Sequence, residues 1–196
     1  MQKVVLASGN EGKRKEFQTI MGDQYLLVPQ REFNVSEVPE TGTTFVENAI
    51  IKARHAAKCT GLPALGDDSG IEVDALQGRP GIYSARYAGE HATAADRNQK
   101  LLDEMRDVPD DKRHARFVCV LVFMRHAEDA TPIIAQGFCE GMIAHEPRGT
   151  HGFGYAPLLY RTQENCTMGE LPDELRHQIT HRGQAIRALL KLLNPV

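Results

Sequence analysis

Val4-Val5-Leu6-Ala7-Ser8-Gly9-Asn10-Glu11-Gly12-Lys13 sets the character of this chain. A short apolar run ends in a small, polar, glycine-containing loop, and a helical pattern with a lysine in its first turn follows. Strand, loop and helix in that order leave backbone N–H groups and the positive end of a helix dipole facing an anion, to which the lysine adds a full charge. The stretch is not a P-loop. That motif needs four residues between its glycines and a Ser or Thr after the lysine to hold magnesium; here two residues separate Gly9 from Gly12, and Arg14 follows Lys13. Metal ligands for a polyphosphate must therefore come from elsewhere in the chain.

Working outward, the strand covers residues 2–7 and the helix about 11–22, with Phe17, Ile20 and Met21 on one face. Extended segments follow near 25–29 and 34–38. A second helix starts at Thr44, whose Glu47 three residues on completes a capping box. Phe45, Ala49, Ala53 and Ala57 recur every fourth residue along it, so it packs closely through small side chains, while Asn48 and Lys52 lie one turn apart on a neighbouring stripe. Two short strands flank Gly66-Asp67-Asp68-Ser69-Gly70, and a helix covers about 93–106. Residues 117–124 form the plainest strand, with extended segments near 132–137 and 139–144. The C-terminal helix carries Ile186, Leu189, Leu190 and Leu193. This irregular alternation favours a mixed-sheet α/β domain over a pure doubly wound one.

At 196 residues the chain fits one domain, 1–196, with ample length for a core. Its net charge of −3 argues against nucleic acid or an anionic membrane as partner, so phosphate recognition must be local. No apolar run approaches a membrane span and no signal segment opens the sequence. Cys59, Cys119, Cys139 and Cys166 are scattered, which reads as reduced thiols in a cytoplasmic protein.

Chemistry concentrates in four places. Asp67-Asp68-Ser69-Gly70 reads as an acidic turn, where paired carboxylates suit a magnesium ion completed by water and phosphate; the same residue types also serve plain turns. Glu40 can join that shell, and Lys52 can add a phosphate contact. Gly152-Phe153-Gly154-Tyr155 presents an aromatic that either stacks on a base or plugs the core. Thr180-His181-Arg182, just before the last helix, offers a hydroxyl, an imidazole and a guanidinium to phosphate or a base edge, with Arg176 and His177 one turn upstream.

Taken together these segments resemble the inosine/xanthosine triphosphate pyrophosphatases. The matching motifs are Ser8-Gly9-Asn10-Glu11-Gly12-Lys13, the run from Glu40 to Ala49, Asp67-Asp68-Ser69-Gly70, the run from Pro80 to Tyr87, Gly152-Phe153-Gly154-Tyr155 and His181-Arg182-Gly183. The resemblance implies an elongated α/β fold with a mixed central sheet and flanking helices, two lobes around a substrate cleft, and a homodimer. It implies Mg2+-dependent hydrolysis of deaminated purine nucleoside triphosphates (ITP, dITP, XTP) between the α and β phosphates, giving the monophosphate and pyrophosphate. On this resemblance Asn10 and Lys13 hold the triphosphate with the backbone of residues 8–13, Lys52 adds a second contact, and Ser69 touches substrate. Glu40 and Asp68 lie at the metal, Asp68 is the general base, and Asp67 supports it. Phe153 stacks on the purine, within a substrate segment that includes Gly154, Tyr155 and Ala156, and His181 and Arg182 read its edge.

Three positions depart from the family pattern. Ala156 stands where the family has an aspartate, Arg176 where a lysine is usual, and Thr180 where a serine is usual. Loss of the acid predicts retained triphosphate hydrolysis with weaker or altered base selectivity. The alternatives are a nucleotide-binding protein with weakened turnover, and a house-cleaning pyrophosphatase of the similarly folded Maf type with a different base preference.

Overall fold

The computed structural model describes residues 2–194, and of Glu11 the backbone alone. The chain runs β1 (Gln2–Ala7), α1 (Glu11–Met21), β2 (Tyr25–Pro29), α2 (Phe45–Thr60), β3 (Ala64–Val73), α3 (Ala94–Glu104), β4 (His114–Met124), β5 (Ile133–Ile143), β6 (Leu159–Arg161), β7 (Cys166–Thr167), α4 (Asp173–Ile179) and α5 (His181–Leu193). Its seven strands form one sheet in the order β2-β1-β3-β4-β5-β6-β7. β1 is parallel to β2 and β3, whereas β5–β6 and β6–β7 are antiparallel, so the sheet is mixed as expected.

Two compact units divide the chain. One comprises residues 1–68, 119–137 and 181–196; the other comprises 69–118 and 138–180, and β3, β4 and β5 contribute residues to both.

In the first unit the core shows the period of two that a strand imposes. Val4 and Leu6 of β1 and Leu65 of β3 pack with Phe17 and Met21 of α1 and with Ala185, Ile186 and Leu189 of α5. Val5, Ala7 and Ala64 point the other way and pack with Ala56 and Ala57 of α2. Helices α1 and α2 thus cover opposite faces. The chain leaves β1 through α1 to β2 on one flank, then returns through α2 to β3 on the other flank. That reversal of strand order falls at the carboxyl end of β1, the place where open α/β sheets bind ligands.

The second unit is built on a separate apolar cluster. Ile71, Val73, Leu101, Met105, Phe117, Ile143, Leu158, Leu159 and Met168 are among its buried members, as are Tyr155 and Ala156.

Three expectations change. The acidic segment is not a turn between two strands: β3 runs unbroken from Ala64 to Val73 with Asp67 and Asp68 inside it. Gly66 serves close packing rather than bending, because a Cβ there would lie 2.2 Å from the Ala49 carbonyl oxygen and 3.0 Å from Ala53 Cβ on α2. The two extended segments expected near 132–137 and 139–144 likewise form one strand, Ile133–Ile143, and 34–38 form none. In β3, pairing to neighbouring strands overrides the local turn chemistry of Gly, Asp and Ser.

Candidate active site

The loop after β1 behaves as its sequence requires. Asn10 caps α1, its Oδ1 accepting the Lys13 N–H at 3.1 Å, and the Asn10 N–H donates to Ser8 Oγ at 3.2 Å. Lys13 is thereby fixed in the first turn of the helix, and its ammonium lies 3.1 Å from Asp67 Oδ2. Glu37, which the sequence did not single out, brings its carboxylate beside the loop: a Cβ on Gly9 would meet Glu37 Oε1 at 3.0 Å. Gly12 occupies the second position of α1, and the Glu11 side chain lies outside the described residues.

β1 pairs with β3 only as far as Ala7 opposite Gly66, so Asp67 and Asp68 stand just past the end of β1, where the strand order reverses. Adjacent strand residues point to opposite faces. Asp67, fully buried, meets Lys13 and accepts from Arg182 Nε at 3.3 Å, while Arg182 Nη1 donates to Glu16 at 2.9 Å. Asp68 turns to the α2 face, where Lys52 Nζ donates to its Oδ1 at 2.9 Å and equally to Glu40 Oε1 at 2.9 Å. Asn48, one turn before Lys52, donates to Asp68 Oδ2 at 3.4 Å and accepts the Gly42 N–H at 2.9 Å.

The two neighbouring carboxylates are therefore tuned in opposite directions. Burial opposes the Asp67 charge, but Lys13, Arg182 and Lys52 overcome it and hold the carboxyl far below the usual range. For Asp68 burial prevails over the opposing Lys52 charge, with Glu40 and Asp67 adding repulsion, and its pKa is raised. Burial opposes the Lys52 charge as well, but Asp68, Asp67 and Glu40 outweigh it, and the amine is held protonated. Such a divergence marks which of two acids can exchange a proton.

The donor set fits a magnesium ion. Glu40 Oε1 and Asp68 Oδ1 are hard anionic oxygens converging on one ammonium group, and Mg2+ takes one or two carboxylates, finishing its shell with water and phosphate oxygens. Among the described residues no group of three or more His, Cys, Asp or Glu is placed to hold a metal ion.

Burial distinguishes several of the remaining residues. Arg182 lies in the first turn of α5, only 3% of its side chain exposed, and its Nη1 and Nε serve Glu16 and Asp67. Glu16, one turn after Lys13, was missed; that i, i+3 spacing on α1 is the signal that marks it. His181 begins α5, and desolvation followed by the Arg182 charge lowers its pKa well below the ordinary value, so its imidazole is neutral. The Glu47 carboxylate reaches past Thr44 to the Thr43 N–H at 2.8 Å, while both threonine hydroxyls donate to it.

The remaining site residues belong to the second unit. Ser69 is its first residue, following Asp68 on β3. Phe153 has 46% of its surface exposed, whereas Tyr155 is buried and its hydroxyl donates to the Ser84 carbonyl at 2.8 Å. Of the two uses weighed for an aromatic there, Phe153 presents a ring and Tyr155 plugs the core. Gly154 links them with φ +65°, Ala156 is buried, and Arg176 on α4 pairs with Asp173.

Residues 4–192 match the sequence profile of the Ham1 family. A dITP/XTP pyrophosphatase of Vibrio cholerae is 57% identical over 194 residues, covering 98% of this chain and 97% of that protein, and one of Escherichia coli K12 is 56% identical, covering 98% of each. Among solved structures, a HAM1 protein from Coxiella burnetii superposes with a TM-score of 0.93 at 49% identity, covering 98% of both chains. The Staphylococcus aureus Ham1 protein gives 0.88 at 40% identity, again covering 98% of both. With a match that spans nearly every residue and a shared fold, this chain belongs to the Ham1 family.

Proposed function

We propose that this chain is a nucleoside-triphosphate pyrophosphatase acting on deaminated purine nucleotides (dITP, ITP and XTP), the activity that the names of its relatives carry. The observation that supports it most is the placement of Asp67 and Asp68 just past the end of β1, the first 3.1 Å from Lys13 in the opening turn of α1 and the second 2.9 Å from Lys52 of α2. The reaction adds water across the α–β anhydride: the water oxygen bonds to phosphorus, the bridging P–O bond breaks, and monophosphate and pyrophosphate leave with one proton released.

In this reading the N-terminus of α1 and Lys13 bind the phosphates, and Asp67 fixes the Lys13 ammonium. Asp68, whose Oδ1 accepts from Lys52 Nζ at 2.9 Å, accepts the proton of the attacking water as general base. Lys52 holds Asp68 and Glu40 together and faces phosphate charge. Mg2+, when held by Glu40 and Asp68, supplies polarisation of phosphoryl oxygens and acidifies water. Phe153 stacks on the purine, and the neutral His181 offers one donor and one acceptor to its edge. A pocket that donates to a 6-oxo group leaves those donors unpaired against adenine, which separates the substrates from ATP. The reading also includes the expected homodimer and cytoplasmic setting, the first of which light scattering on the purified protein tests directly; among the described residues no helix is long and apolar enough to cross a membrane.

Pyrophosphate release with Mg2+ from ITP, dITP, XTP, GTP, ATP and TTP tests the reading, with D68N as control. Turnover of the deaminated purines that vanishes in D68N is the expected result. Nucleotide binding without turnover would overturn it in favour of a binding protein.

A further inference from the structure

Within the second unit, Arg176 has a donor to spare. Its side chain is 12% exposed and Nη2 is committed to the Asp173 carboxylate, but Nε is buried without a hydrogen-bond partner. Leaving a buried N–H unsatisfied is costly, so natural proteins rarely do so without a reason. The guanidinium lies against Gly152: a methyl group built there would stand 2.7 Å from Arg176 Nη1 and 3.1 Å from Ala156 Cβ. Gly152 also has φ +77°, so no larger residue fits on either count. Arg176 and Ala156 thus crowd the same side of one glycine, immediately before the exposed ring of Phe153.

An aspartate at 156 would bring its carboxylate to this guanidinium and take up its remaining donor capacity. The buried methyl of Ala156 leaves that capacity to a ligand. Arg176 adds a planar fork where a lysine would offer a compact point charge.

Resting on the proposed function, in which Phe153 carries the purine, we propose that the Arg176–Ala156 pair makes this protein selective for xanthine over hypoxanthine, and so for XTP over ITP and dITP. Xanthine presents a 2-oxo acceptor where hypoxanthine has only a C–H and guanine has an amine donor. It is also the most acidic of the three bases, partly anionic near neutrality, and a cation without a neighbouring acid at 156 favours it. Guanine sets donor against donor and is rejected by the same feature.

Steady-state kcat/KM for XTP, ITP and GTP, together with calorimetric Kd values for the products XMP and IMP, tests this on the wild type, A156D, R176K and R176M. The expected XTP-to-ITP ratio is about tenfold or more in the wild type, the size of a charged hydrogen bond, falling towards unity in A156D and R176M. R176K should fall between them, since it keeps the charge and loses the fork. A wild-type ratio near one, or a ratio that neither A156D nor R176M moves, overturns the proposal while leaving pyrophosphatase activity intact. If no triphosphate is hydrolysed, the functional reading fails instead, and the XMP-to-IMP ratio still decides the selectivity. Should A156D fold poorly by its Tm, R176M carries the same comparison without placing a carboxylate in the core.

Discussion

Asp67 and Asp68 are neighbours in sequence but partners of different helices: Asp67 meets Lys13 of α1 at 3.1 Å, and Asp68 meets Lys52 of α2 at 2.9 Å. The alternation of a strand accomplishes this separation. One carboxylate is locked in the ionised state and the other is pushed towards proton exchange, although only a peptide bond lies between them.

Replacing each aspartate should therefore give opposite phenotypes. D67N leaves the buried Arg182 and the Lys13 ammonium short of a counter-charge and should lower stability by about 3–5 kcal/mol. Asp68 is raised in pKa, so folding disfavours its charge; D68N should leave Tm unchanged or slightly higher while activity falls by about two to four orders of magnitude. Urea melts beside pyrophosphate-release rates check both, and a D68N protein as unstable as D67N would contradict the assignment.

Lys52 joins two carboxylates through one ammonium group. In K52M, Glu40 and Asp68 face each other without it, so Asp68 should bind its proton still more tightly. Activity is expected to drop by about a hundredfold, with the rising limb of the pH–rate profile displaced to higher pH. An unshifted profile would separate Lys52 from the base.

Gly66 touches the backbone of α2, and no side-chain change can relieve a clash with the Ala49 carbonyl. G66A should cost about 3 kcal/mol or more, read as a lowered Tm and urea midpoint. An A53G second mutation should restore little of it, because the closest contact is main chain.

His181 gives the fold a pH dependence of defined sign. Its folded pKa lies well below the 6.5 of a free imidazole, so the unfolded chain takes the proton first as pH falls. Stability should decline below about pH 6.5, until the folded pKa is reached, by up to about 1.4 kcal/mol per pH unit. Wild-type and H181Q melts between pH 7.5 and 5 should converge at high pH and diverge at low pH, with the variant flatter.

Much of this site was legible because its elements are local. The anion-binding loop, the Asn48–Lys52 stripe and the small-residue face of α2 each follow from spacing within one helix or turn. The strand character of residues 66–70 was not legible, since Gly-Asp-Asp-Ser-Gly has turn composition and becomes a strand only within a sheet whose next strand, β4, comes some fifty residues later. The burial of Arg182 was hidden for a related reason: a surface-type residue in a polar segment pairs here with Glu16 and Asp67, which lie 166 and 115 positions away. Phe153 and Tyr155, alike in composition and two residues apart, divide between surface and core, and the Ser84 carbonyl that captures the tyrosine hydroxyl is 71 positions distant.

Those separations also order events in time. During synthesis Lys13, Lys52 and both aspartates have left the ribosome long before Arg182 does, and distant contacts are the slowest to close. Until the final helix docks, buried Asp67 lacks one of its two nearest cations and Glu16 lacks its guanidinium partner. The nascent chain thus holds every group proposed for phosphate chemistry while one face of its sheet is still unfinished, and the arrival of residue 182 is the step that completes it.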